Sequence, residues 1–169
     1  MRLTEWHSRS PTRDAMAPKV MTSITEALVL LGAGRDPECW VAWGDDPGVR
    51  YTILAPALGG LVLVNVRVNV PGEGPRASGK LVRWHRVQVG ELSVEIQGAH
   101  RLITFQLESQ LLHAADEAAD EVAAFVDTIF SAVDGRWAGP TNTIALPAPS
   151  ATGAPDAVPP SPGPTASNP

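Results

Sequence analysis

The sequence predicts an α+β domain. Its parts are an N-terminal helix, a curved six-stranded antiparallel meander forming a sheet or partial barrel, a long C-terminal helix on the apolar face, and a disordered Pro-rich tail. Three observations predict it. Apolar residues recur at helical spacing near Pro18 to Leu31 and again from about Ala115 to Asp134. Between them the apolar pattern alternates with period two. Turn-forming Gly, Pro and Asp residues divide that stretch into strand-length pieces.

Residues 1–16 show no period and are expected to be a poorly ordered or irregular arm. The first helix puts Val20, Ile24, Ala27, Leu28 and Leu31 on one face. Pro18 suits its first position, and Gly32 can close it in the left-handed conformation. Ser23 and Glu26 would serve as a capping box for a later start. Cys39 to Trp43 and Tyr51 to Ala55 read as short strands around a turn at Gly44 to Gly48.

Leu61 to Val70 is the clearest strand. Val62, Val64, Val66, Val68 and Val70 take one face, while the other begins with Leu61 and Leu63 and turns polar at Asn65, Arg67 and Asn69. After a Gly- and Pro-rich loop at Pro71 to Ser78, strands are predicted at Lys80 to Val89, Leu92 to Gln97 and Leu102 to Leu107. A two-residue turn at Gly90-Glu91 would pair Val87 with Val94 and His85 with Ile96. A four-residue turn at Gly98 to Arg101 would pair Val94 with Phe105 and Ile96 with Ile103. The closing helix carries the stripe Ala115, Ala118, Ala119, Val122, Val126, Ile129, Phe130 and Val133, and Gly135 ends it.

Proline marks the domain limit. Of 16 Pro in 169 residues, nine lie in residues 138–169, where Asp156 is the one charged side chain. Such a segment has too little apolar surface to offset the entropy lost on ordering, so the tail is expected to be disordered and the single domain to span residues 17–137.

Composition narrows the function. The lone Cys39 excludes an internal disulfide framework and thiolate zinc sites, and points to a reducing, cytoplasmic setting. No two of His7, His85, His100 and His113 stand at metal-binding helical spacing, so no metal is expected, and no cofactor motif is present. The uncharged run Tyr51 to Val66 is broken by Pro56 and Gly59-Gly60 and falls short of the ~20 residues of a membrane helix. A pI of 5.3 and only two Lys argue against nucleic acid. Gly74 to Lys80 approaches a phosphate-binding loop, but Leu81 replaces the magnesium-binding hydroxyl and a strand follows in place of a helix. No Ser or Cys lies in a nucleophile motif.

A domain without catalytic groups is expected to be a non-enzymatic binding or assembly module, contacting a protein partner or a second copy of itself. The contact surface would be the polar sheet face with the Gly72 to Lys80 loop, using Arg67, Arg76, Ser78, Lys80 and Arg86. The alternative is a cavity between sheet and C-terminal helix that grips a small apolar ligand, with His85 at its polar end.

Overall fold

The structure is a computed structural model in which residues 2, 3, 5, 18–46, 48–70 and 72–140 are described; the Pro-rich tail beyond residue 140 lies outside them. In chain order the elements are α1 (Pro18–Leu30), β1 (Val41–Asp46), β2 (Arg50–Ala57), β3 (Gly60–Val70), β4 (Gly74–Arg83), β5 (Val89–Gln97), β6 (His100–Leu107), β7 (Gln110–Ala115) and α2 (Asp116–Val133). A short 3-10 turn at Trp84–Arg86 separates β4 from β5. The fold is α+β with helices at both ends, but the single six-stranded meander is not formed. Seven strands pair in two antiparallel sheets, β1-β2-β3-β4 and β5-β6-β7, with no ladder closing them into a barrel among the described residues.

The uncharged run Tyr51 to Val66 becomes the two central strands of the larger sheet. From Tyr51 to Ala57 every residue is buried, because this sheet is covered on both faces. Tyr51, Ile53 and Ala55 join Val62, Val64 and Val66 in a core with Val20, Ile24 and Leu28 of α1. Leu3 is packed in the same core at 1% exposure. On the opposite face, Val41, Leu54, Leu61 and Leu63 share a second core with Ile103, Phe105, Leu107 and Leu112 of the smaller sheet and with Val122, Phe125, Val126 and Ile129 of α2. The alternating side chains of β2 and β3 therefore feed two cores.

Helix α1 starts at Pro18 as expected, and the later start is not used: Ser23 lies within the helix and its hydroxyl donates to the Lys19 carbonyl. Gly32 is left-handed (φ 88°), with its N–H on the Val29 carbonyl and that of Ala33 on the Leu28 carbonyl, so the helix ends in a Schellman motif. Gly135 (φ 71°) ends α2 the same way.

Several local expectations are corrected. Strand β1 continues through Asp46, past the expected turn at Gly44. Strand β4 begins at Gly74, so most of the expected loop is strand. The predicted strand Lys80 to Val89 is broken at Trp84, whose indole Nε1–H donates to the Ala57 carbonyl at 3.0 Å and whose ring meets Trp137 edge-on at 6.1 Å. Gly90-Glu91 forms a bulge within β5 where a turn was expected, because a Cβ at Gly90 would meet the Gln106 side chain and the glycine lets the strands approach. The pairings of Val87 with Val94 and His85 with Ile96 are accordingly absent. The β5-β6 turn holds two residues, Gly98 and Ala99, not four, which shifts the register by two: Val94 faces Ile103 and Ile96 faces Arg101. A shift of two preserves the faces. Strand β7 was not expected at all.

At the β7-α2 junction Asp116 is held in the left-handed region (φ 52°), which Asp tolerates better than most residues. Its carboxylate bonds His100 Nδ1 at 2.9 Å and accepts the Arg101 N–H at 3.2 Å, tying the β5-β6 turn to the helix start. These two bonds, the His100 contact foremost, hold its pKa below the ordinary aspartate value.

Two outcomes are expected. Gly60→Ala should cost about 3 kcal/mol in urea unfolding, since a Cβ there overlaps the Val82 carbonyl and stands 2.9 Å from Arg83 Cα; Gly59→Ala, which meets only side-chain ends, should cost less than about 1 kcal/mol. Because the Asp116 pKa is lowered on folding, its stabilisation is full above the ordinary carboxylate range and disappears as pH falls through the folded value. Urea midpoints measured from about pH 6 down to pH 2 should therefore show wild type ahead of Asp116→Asn at the upper end and the two converging at the lower.

Candidate functional site

The face of the larger sheet that packs against α2 is apolar only along part of its length. Where Leu54, Leu61 and Leu63 end, the next row across the strands is Trp43, Thr52, Asn65 and Ser78, each directly opposite its neighbour. Two residues further, Arg50, Arg67 and Arg76 stand in register, and beyond the β1-β2 irregularity Asp46 of β1 pairs with Arg50, three residues from Trp43. Directly opposed residues put their side chains on one face about 5 Å apart, so three guanidinium groups from three adjacent strands share one end of the sheet.

Both flanks of this row are irregular. The β1-β2 register shifts between Trp43 and Asp46, and the β3-β4 register shifts between Arg67 and Val70. Gly44 permits the first irregularity, since a Cβ there would stand 2.7 Å from the Arg50 carbonyl oxygen. Bulges sharpen local twist, and here they set the polar end apart from the packed part of the face. The result is an open cleft of about 1040 Å³ lined by Trp43, Arg50, Thr52, Asn65, Arg67, Arg76 and Ser78, with Gln110 of β7 at its side.

Its hydrogen-bonding character is mostly that of a donor. The Thr52 hydroxyl, nearly buried, donates to Asn65 Oδ1 at 2.9 Å, which occupies the amide oxygen and leaves the Asn65 NH₂ for the cleft. Arg76 has one distant acidic neighbour, Glu73 at 3.8 Å, with both side chains well exposed. Among the described side chains none pairs with Arg50 or Arg67. Three cations in a row repel one another, and an anion laid across them relieves that repulsion while accepting bidentate bonds from the guanidinium forks.

Of the residues singled out in the sequence, Arg67, Arg76 and Ser78 come together in this cleft. Lys80 lies further along β4 opposite Leu63, and exposed His85 and Arg86 lie on the 3-10 turn; none of the three lines the cleft. Arg50, Trp43, Thr52 and Gln110 were missed. Counting back from the two-residue turn at Leu58-Gly59 sets Arg50 opposite Arg67, so that one signal was present.

A second groove of about 580 Å³ runs between β1, β7 and α2. Val41, Leu112, Val122 and Phe125 line it, with Glu38, Asp120 and Glu121 among its polar residues. Cys39 lines it too; burial pushes its thiol pKa up, with a hydrogen bond to Thr128 acting the other way. Tyr51 sits beneath the first cleft with its ring in the α1 core, where burial pushes its phenol far above the ordinary range and its hydroxyl has no partner among the described residues. Among the described residues no three His, Cys, Asp or Glu side chains are grouped to hold a metal, and no helix is long and apolar enough to cross a membrane.

Comparison with family models, with curated proteins and with solved structures gives no match.

Tyr51→Phe keeps the ring and removes a desolvated, unpartnered hydroxyl. Thermal unfolding should show a gain of about 1 kcal/mol; a loss of that size would mean that the hydroxyl has a partner.

Proposed function

We propose that the protein is a non-enzymatic binding module that takes an acidic segment of a protein partner into the arginine-lined cleft. The observation that carries this reading is the in-register row Arg50, Arg67 and Arg76, with the Asn65 amide and Ser78 hydroxyl one row behind it. Carboxylates of an extended segment, spaced along its backbone, match donors spaced across three strands. A long polyanion such as nucleic acid fits less well, because the chain's net charge of minus 5 repels it beyond the reach of one arginine row. The size and openness of the cleft suit a segment more than a single small anion.

A small apolar ligand held against the C-terminal helix is the second reading. The groove between β1, β7 and α2 favours it, although His113 lines that groove and His85 does not.

Anisotropy of a fluorescent peptide of about ten residues, rich in Asp and Glu, separates the two. Binding should weaken as salt rises, and Arg67→Glu should weaken it about tenfold or more, while Arg86→Glu, outside the cleft, should change it less than about threefold. Ala118→Trp, at an exposed position lining the second groove, should leave peptide binding unchanged. Equal loss from Arg67→Glu and Arg86→Glu would reduce the effect to overall charge and overturn the reading.

A further inference from the structure

Strand β5 is one of the two edges of the smaller sheet, and it carries an exposed apolar row. Leu92 is 42%, Val94 53% and Ile96 78% exposed, although Phe105 and Ile103, the partners of Leu92 and Val94 across β6, are buried under α2; Ile96 stands opposite the exposed Arg101. Phe130 and Val133 of α2, also exposed, are the apolar residues the helix leaves uncovered. A long edge strand with an apolar face is a template for another strand; the bulge at Gly90-Glu91 lies at one end of this one, and over Leu92 to Ile96 it carries no Lys and no Pro, with Glu95 its one charge.

The register says which backbone groups the edge offers. Gln97 and His100 flank a two-residue turn, so they exchange hydrogen bonds, as do Glu95 with Leu102 and Ser93 with Thr104 in alternation. The N–H and C=O groups of Leu92, Val94 and Ile96 therefore point away from β6, towards the open edge.

We propose that this edge pairs with β5 of a second copy of the chain, antiparallel about a two-fold axis at Val94, joining the two smaller sheets into one of six strands. Only the sequence of β5 is needed to choose occupant and register. With the axis at Val94, Leu92 faces Ile96, Val94 faces itself, Ser93 faces Glu95 and Glu91 faces Gln97. Every apolar residue meets an apolar one, and no carboxylate meets another. Moving the axis to Glu95 sets that carboxylate against itself, and moving it to Ser93 sets Glu91 against Glu95 twice. Moving it to Leu92 or Ile96 sets Val94 against Gly90 or Gly98 and loses the apolar match. The three outward-pointing residues are also those the Val94 axis brings into hydrogen-bonded pairs, so sequence and backbone select the same register. No residue of β5 lines the arginine cleft.

The test is sedimentation equilibrium of the full chain and three variants, each checked for folding by circular dichroism. Wild type should be a reversible dimer. Ser93→Glu creates two symmetry-related carboxylate pairs with Glu95 and should raise the dimer Kd about tenfold at low salt, while Ser93→Lys should lower it. Val94→Pro removes only outward-facing N–H groups, leaves the β5-β6 ladder intact and should also weaken the dimer about tenfold. A monomeric wild type at about 100 μM, well above a micromolar Kd, overturns the proposal. So does a dimer that responds equally to both Ser93 variants or is untouched by Val94→Pro.

Discussion

The alternation of side chains along β3 is the constraint on which the rest of the structure depends. Val62, Val64 and Val66 enter the core beneath α1, and Leu61 and Leu63 enter the core shared with α2 and the smaller sheet. A strand has period two, so a slip of one residue would exchange the two sets and bring Arg67 to the α1 side. Burying five such side chains is worth roughly 10 kcal/mol before opposing terms, comparable with the whole net stability of a domain. The register of β3 is therefore fixed, and its neighbours β2 and β4 are fixed through it. Placing Leu61 and Leu63 under α2 also determines where the cleft lies: it begins on the same face, where the strand's residues change from Leu to Asn65 and Arg67.

That dependence explains which parts of the fold were legible in the sequence. Both helices were readable because their apolar stripes and closing glycines agree, and Gly32 and Gly135 do adopt the left-handed conformation. The strand at Leu61 to Val70 was readable because its alternation is long. The division into two sheets was not, because the break at Trp84 to Arg86 contains neither Gly nor Pro; it is held by a tertiary hydrogen bond from Trp84 to Ala57 and by Trp137, which lies 53 residues away in sequence. Gly90 misled in the opposite direction. A glycine in an alternating segment signals a turn or a bulge alike, and only the Gln106 side chain against it decides for the bulge. Arg67, Arg76 and Ser78 could be nominated as polar positions on one strand and its neighbouring loop, but the register that aligns Arg67 with Arg76 passes through an irregularity no count can anticipate. His85 seemed to share the apolar face only because the strand was assumed to run through it.

The arginine row carries a cost that the sheet bears. Like charges directly opposed across strands are mutually destabilising by some tenths of a kcal/mol or more per pair, and no described side chain pairs with Arg50 or Arg67. The deeper part of β2 and β3, buried on both faces, holds the strands in register despite it. A site built this way is preorganised: the positions of the donors are set by strand spacing, not by loops that must order on binding. The polarity of the chain supports the same division. Asp116, Glu117, Asp120 and Glu121 gather at the start of α2, where the helix dipole favours them, and none of them lines the cleft.

The two surfaces are also compatible with each other. Pairing through β5 would use the smaller sheet, whereas the cleft is lined by the larger one and by Gln110 of β7, so such a dimer would engage no cleft-lining residue. Two clefts related by a two-fold axis present their donors as a bivalent surface. A partner with two acidic segments would then bind the second cleft at the effective concentration set by the link between them, which for a short flexible link is in the millimolar range. A modest affinity of each exposed arginine row would suffice under those conditions. Because the axis at Val94 fixes the separation and relative direction of the clefts, the dimer would choose among acidic partners by spacing as well as by charge.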